Sequence, residues 1–163
     1  MPLPPFDANG LLPMGQHACT EAEVQAELVT AFPGSPTRAP IFAHWRLLRL
    51  GLIHLLGAVE QWLDGSFVEN NDAPNDADVV TVYDGPSHDA MPEGARAVVT
   101  SLCLGKKTAA MWHCDSYPVA IYPPGHPHHA ASQASLQYWQ NWWGNTRPTD
   151  PRGHLPKGYV VVR

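Results

Sequence analysis

Trp62-Leu63-Asp64-Gly65-Ser66-Phe67-Val68, followed by Pro74-Asn75-Asp76-Ala77-Asp78-Val79-Val80, is the stretch on which the fold turns. A short apolar run enters a Gly-Ser turn, and two carboxylates one residue apart open a second apolar run. Residues i and i+2 of a strand project from one face. Asp76 and Asp78 are therefore expected to point the same way, about 7 Å apart at their Cα atoms. Like charges held that close raise each other's pKa unless a cation lies between them. Mg2+ or Mn2+ suits such a pair, completing its shell with water and phosphate oxygens. The Gly-Ser turn permits close backbone approach and adds a hydroxyl, both useful beside a phosphate, although Gly and Ser also make ordinary tight turns.

Outward from this pair, residues 61–63 read as one strand and 76–82 as a second, whose apolar tail Val79-Val80-Thr81-Val82 is expected to be buried. Upstream, Thr20 with Glu23 forms a capping-box pattern that starts a helix over 20–30. Phe42, Trp45, Leu48, Leu52, Leu55, Leu56 and Val59 recur at helical steps and predict a helix over 41–60. Downstream, residues 84–92 read as loop. Residues 93–104 fit a helix by period but carry β-branched side chains that weaken it. A third strand is expected over 112–120, edged by Pro118. A loop over 122–129, a helix over 130–143, a loop over 144–156 and a closing strand over 158–162 complete the chain. The order predicts an α+β (α/β-like) domain, with a mixed sheet of about four strands and helices mainly on one face. Residues 1–163 are expected to form a single domain, with 1–19 an irregular, Pro- and Gly-rich arm.

The pattern Gly65-Ser66, nine residues, then Asp76-Ala77-Asp78 resembles the signature of the polymerase-beta-type nucleotidyltransferase superfamily. Phe6-Asp7-Ala8-Asn9-Gly10-Leu11-Leu12-Pro13 near the start, and Pro156-Lys157-Gly158-Tyr159-Val160-Val161-Val162 near the end, resemble the opening and close of a small uncharacterised bacterial and phage subgroup within it. The resemblance implies a minimal nucleotidyltransferase core. It implies an NTP substrate, Mg2+ (or Mn2+) held by Asp76 and Asp78, and phosphates held by Gly65 and Ser66. A third carboxylate is expected on the next strand, to share the metal and activate the acceptor. Asp115, 37 residues beyond Asp78, is the candidate, and the resemblance also places an Asp there. Asp84 and Asp89 are runners-up, on a loop that would have to fold back. An NMP group would pass to an unknown acceptor, a protein, an RNA or a small molecule. Small stand-alone relatives act in toxin–antitoxin or phage-defence systems, so that setting is implied by analogy. The alternative is a catalytically inactive module of the same fold that binds a nucleotide or a partner protein.

Other polar residues are weaker candidates. Asp64 is expected to bond turn amides rather than a metal. His126, His128 and His129 invite a zinc site, but their spacing on a Pro-rich loop matches no closed tetrahedral template. His113 neighbours Asp115 but is not expected to be a ligand in the same cluster. Lys106, Lys107 and Arg96 read as solvated charge. Trp139 and Trp143 share one helix face and read as core, leaving Trp142 the ring expected to be exposed.

Composition narrows the function classes. A net charge of −5 argues against general DNA binding, which needs a basic footprint. The chain is 44% hydrophobic and 15% charged, a globular composition, and its 17 prolines imply long irregular connections. Three cysteines without CxxC spacing predict a reducing, cytoplasmic setting rather than a disulfide framework. Neither a signal peptide nor a membrane span is predicted.

Overall fold

The computed structural model describes residues 3–163. Strands β1 (Gly15–Cys19), β2 (Glu60–Asp64), β3 (Ala77–Asp84), β4 (Cys114–Ile121) and β5 (Gly158–Val162) form one mixed sheet in the order β1-β5-β2-β3-β4. β2 runs antiparallel to both its neighbours, while β1 with β5 and β3 with β4 are parallel pairs. The sheet has five strands rather than four because β1 lies within the segment expected to be an irregular arm. β1 is an edge strand in which only Cys19 is buried, so its sequence lacks the apolar alternation that marks a half-buried strand. β4 is the other edge, and Pro118 sits there at no cost to an inner ladder.

Helix α1 (Glu21–Gln25) continues as a π-helical turn, Ala26–Thr30. Its start is the predicted capping box: the Glu23 amide donates to Thr20 Oγ1 at 3.2 Å and the Thr20 amide donates to the Glu23 carboxylate at 2.8 Å. Helix α2 (Arg38–Leu56) ends before residue 60 because Gly57, at φ +77°, turns the chain toward β2. Helix α3 (Gly85–Asp89) occupies the expected loop, capped by Asp84, whose carboxylate accepts from the Ser87 amide at 2.8 Å. Helices α4 (Glu93–Leu102), α5 (Ala109–Trp112) and α6 (His129–Trp143) follow.

Two apolar clusters flank the sheet. On one face α1, α2 and α4 pack Val24, Trp45, Leu48 and Val99 over Leu63, Val79 and Val160. On the other, α6 packs Trp143, with Leu136 and Trp139, over Trp62, Val80 and Val161. Most helices therefore lie on one face, as predicted, and α6 alone covers the other. Gln61 is buried beneath α2, accepting from Trp45 Nε1–H at 2.9 Å and donating to Thr81 Oγ1 at 3.0 Å, so no polar group is stranded there. Among the described residues no helix is long and apolar enough to cross a membrane, and all three cysteines are free and buried.

Candidate active site

Strand register builds the site. Asp64 at the end of β2 lies opposite Asp78 on β3, and Asp78 lies opposite Asp115 on β4. Laterally paired residues share a sheet face, so these carboxylates form a row across three strands. The alternation of β3 and β4 puts the row on the α6 side, together with Val80, Tyr117 and Val119. Asp76 stands one residue before β3 rather than on it, and its i, i+2 relation to Asp78 directs it to the same end of the sheet.

All four carboxylates, with Gly65 and Ser66, line one cleft of about 980 Å3 between the sheet end and α6. A smaller cavity of about 470 Å3, around Phe6 and Phe32, contains none of the predicted site residues. Gly65 adopts φ +77° and ψ −167°, a backbone conformation open essentially to glycine alone. A Cβ there would lie 2.3 Å from Asp78 Oδ2. The turn thus presses backbone against a carboxylate, and only a residue without a side chain permits it.

The charges in this cleft are poorly matched. Burial, then Asp64 and Asp76, push the Asp78 carboxyl up to about 7, with Arg147 pulling weakly the other way. Arg147 Nη2 is 3.9 Å from Asp78 Oδ2, and its side chain is largely exposed. Burial and Asp76 also raise the Asp115 carboxyl, against Lys106 and Arg147. The carboxylates of Asp76 and Asp115 make no hydrogen bond or ion pair among the described residues.

Asp64 differs from the rest of the row. Its Oδ1 accepts from Lys157 Nζ at 2.5 Å, and the same ammonium lies 3.3 Å from Glu69 Oε1. Burial pushes the Asp64 carboxyl up to about 6, with Lys157 and the Gly65 amide holding it down. Burial also opposes the Lys157 charge, but Asp64 and Glu69 more than offset it and its pKa rises. Asp64 does meet a turn amide, as its position in the sequence predicts, but its principal partner is a lysine 93 residues away.

Two further groups, neither legible in the sequence, fix the loops around the cleft. Arg38, fully buried at the start of α2, donates to the carbonyls of Leu28, Phe67, Glu69 and Asn71 at 2.6–3.0 Å. Its guanidinium lies over the Phe32 ring, 3.7 Å from the centroid, and burial lowers its pKa to about 10. It therefore pins the chain immediately after Ser66. Arg152 donates to Glu69 and Asp150 at 2.8 Å and to the Asn9 carbonyl at 3.1 Å. With the Thr146 amide bonded to the Leu155 carbonyl at 2.8 Å, this ties down the excursion between α6 and β5 that carries Arg147.

The remaining candidates lie elsewhere. Asp84, the last residue of β3, caps α3, and Asp89 within α3 accepts from the Tyr122 hydroxyl at 2.8 Å, both at the end of β3 opposite to Asp78. His126 stacks on Tyr122, with 4.5 Å between centroids, and His128 meets the ring edge-on. His129 bonds the Tyr122 carbonyl at 2.8 Å, and none of the three histidines lines the cleft. His113, at φ +48° just before β4, stacks on His44 of α2. Lys106 lines the cleft and Lys107 does not.

The donor set of Asp76, Asp78 and Asp115 is all oxygen and anionic, which fits a hard divalent cation. Among the described residues no three His, Cys, Asp or Glu side chains stand close enough to form a ready metal cage. The chain belongs to the family described as "Family of unknown function (DUF6932)", which matches residues 4–163. No curated protein and no solved structure matches it.

Proposed function

We propose that this cleft is a metal-dependent nucleotidyltransferase site, which transfers an NMP group from an NTP to an acceptor hydroxyl. The observation that carries the reading is the in-register row of Asp78 and Asp115 beside Gly65, where a missing Cβ leaves the backbone against a carboxylate. Asp76, Asp78 and Asp115 would hold Mg2+ or Mn2+, which when bound supplies charge neutralisation for the triphosphate. Ser66 offers its hydroxyl to the phosphates, and Arg147 and Lys106 stand at the cleft as cationic partners for them. The acceptor oxygen attacks the α-phosphorus, the α–β phosphoanhydride bond breaks and pyrophosphate leaves. The acceptor's proton passes to Asp115, which stands in register beside Asp78. The acceptor is a hydroxyl of a protein, an RNA or a small molecule. A toxin–antitoxin or phage-defence setting rests on the resemblance alone.

A second reading keeps nucleotide or partner binding without turnover. It is favoured by the absence of a ready carboxylate cage among the described residues. One experiment separates the two: the protein is incubated with each labelled NTP, Mg2+ or Mn2+ and a cell extract, and label transfer and pyrophosphate release are followed. The enzyme reading expects transfer by the wild type and none by Asp78→Ala or Asp76→Ala, with both variants folded. Transfer undiminished in either variant overturns it. Nucleotide binding without any transfer leaves the binding module.

A further inference from the structure

We propose that Tyr138 and Trp142 of α6 form the nucleobase subsite of the cleft, an inference that rests on the nucleotide reading above. The inward face of α6 is already occupied, with Trp143 buried and Leu136 and Trp139 packed beside it. Tyr138 and Trp142 lie outside that cluster and are 57% and 45% exposed. Four residues apart, they share one helix face. Their rings lie within 4° of parallel, with centroids 6.5 Å apart. Both rings line the same cleft as Asp76, Asp78 and Asp115.

A continuous run of ring contacts leads from the carboxylate row to these two rings. Tyr117 follows Asp115 by two residues on the same face of β4 and packs on Trp139 with centroids 4.7 Å apart. Trp139 in turn meets Tyr138 edge-on at 5.2 Å. The occupant of this cleft must therefore offer phosphate or metal-binding oxygens at one end and a flat π-surface at the other. A nucleoside triphosphate meets both demands in one molecule, with the ribose between them. Stacking of this kind tolerates every base, since each has a π-face. The subsite is thus expected to accept all four NTPs, purines most tightly for their larger area.

The test uses the full chain with Mg2+ present, titrated calorimetrically with ATP and separately with inorganic tripolyphosphate, which has no base. Trp142→Ala and Tyr138→Ala are expected to weaken ATP binding about tenfold or more, the scale of one lost stack. They should leave tripolyphosphate binding unchanged, and Trp142→Phe should recover most of the ATP affinity. Wild-type ATP affinity in both alanine variants overturns the subsite and leaves the nucleotide reading standing. Equal loss of ATP and tripolyphosphate also overturns it, by showing a structural role. If the wild type binds neither ligand, the subsite and the nucleotide reading fall together. Both side chains are exposed, so the variants retain the core, and circular dichroism verifies this.

Discussion

Asp78 stands between Asp64 and Asp115 across the strands, and burial with its acidic neighbours lifts its carboxyl to about 7. The unfolded chain releases that proton near its ordinary value of 3.8. Between these values the native state binds more protons, so this group stabilises the fold below the unfolded pKa and loses that contribution as pH rises through about 7. Urea unfolding of the metal-free protein should therefore show stability falling from about pH 4 to about pH 7 and levelling off above that. Asp78→Asn should flatten that slope, and an unchanged slope in the variant would show that Asp78 does not carry it. Gly65 makes a separate prediction. Gly65→Ala places a Cβ on Asp78 Oδ2 in a glycine-only conformation, and should cost about 1–3 kcal/mol in denaturant unfolding. Stability equal to wild type would mean that the turn is not held as described. Both residues were legible in the sequence, because a glycine turn and an i, i+2 carboxylate pair are local patterns. Lys157 was not: nothing in Pro156-Lys157-Gly158 indicates that its ammonium meets Asp64.

Elements whose signals are local were the ones the sequence revealed. The capping box of α1, the apolar period of α2 and the β-branched run of β5 all need only neighbouring residues. β1 was missed because an edge strand with one buried side chain carries no alternation. The role of α2's first residue was missed for another reason. Arg38 acts on carbonyls 10 to 33 residues distant, and its sequence neighbours do not reveal this. Arg38→Met would keep much of the buried volume but strand the carbonyls that hold residues 67–71. We expect destabilisation of about 3 kcal/mol or more, together with weaker nucleotide binding, because the chain following Ser66 loses its anchor. Chemical denaturation with ATP titration tests both effects. A loss of stability alone would show that the anchor is not part of the site.

For the molecule as a whole, the predicted class was right because element order limits architecture, while the strand count and the loops over the cleft depend on long-range pairing. The layers explain where a site can form: three helices fill one face of the sheet, and α6 covers only part of the other, leaving the carboxylate row open beside it. The central claim is that Asp76, Asp78 and Asp115 act as one divalent-cation site next to a triphosphate. Mn2+ binding followed by electron paramagnetic resonance, with and without ATP, on the wild type and Asp78→Asn, tests it most directly. The account predicts a Mn2+ site in the wild type that tightens when ATP is added and disappears in Asp78→Asn. Identical Mn2+ binding in the two proteins, or none in the wild type with ATP present, would contradict it.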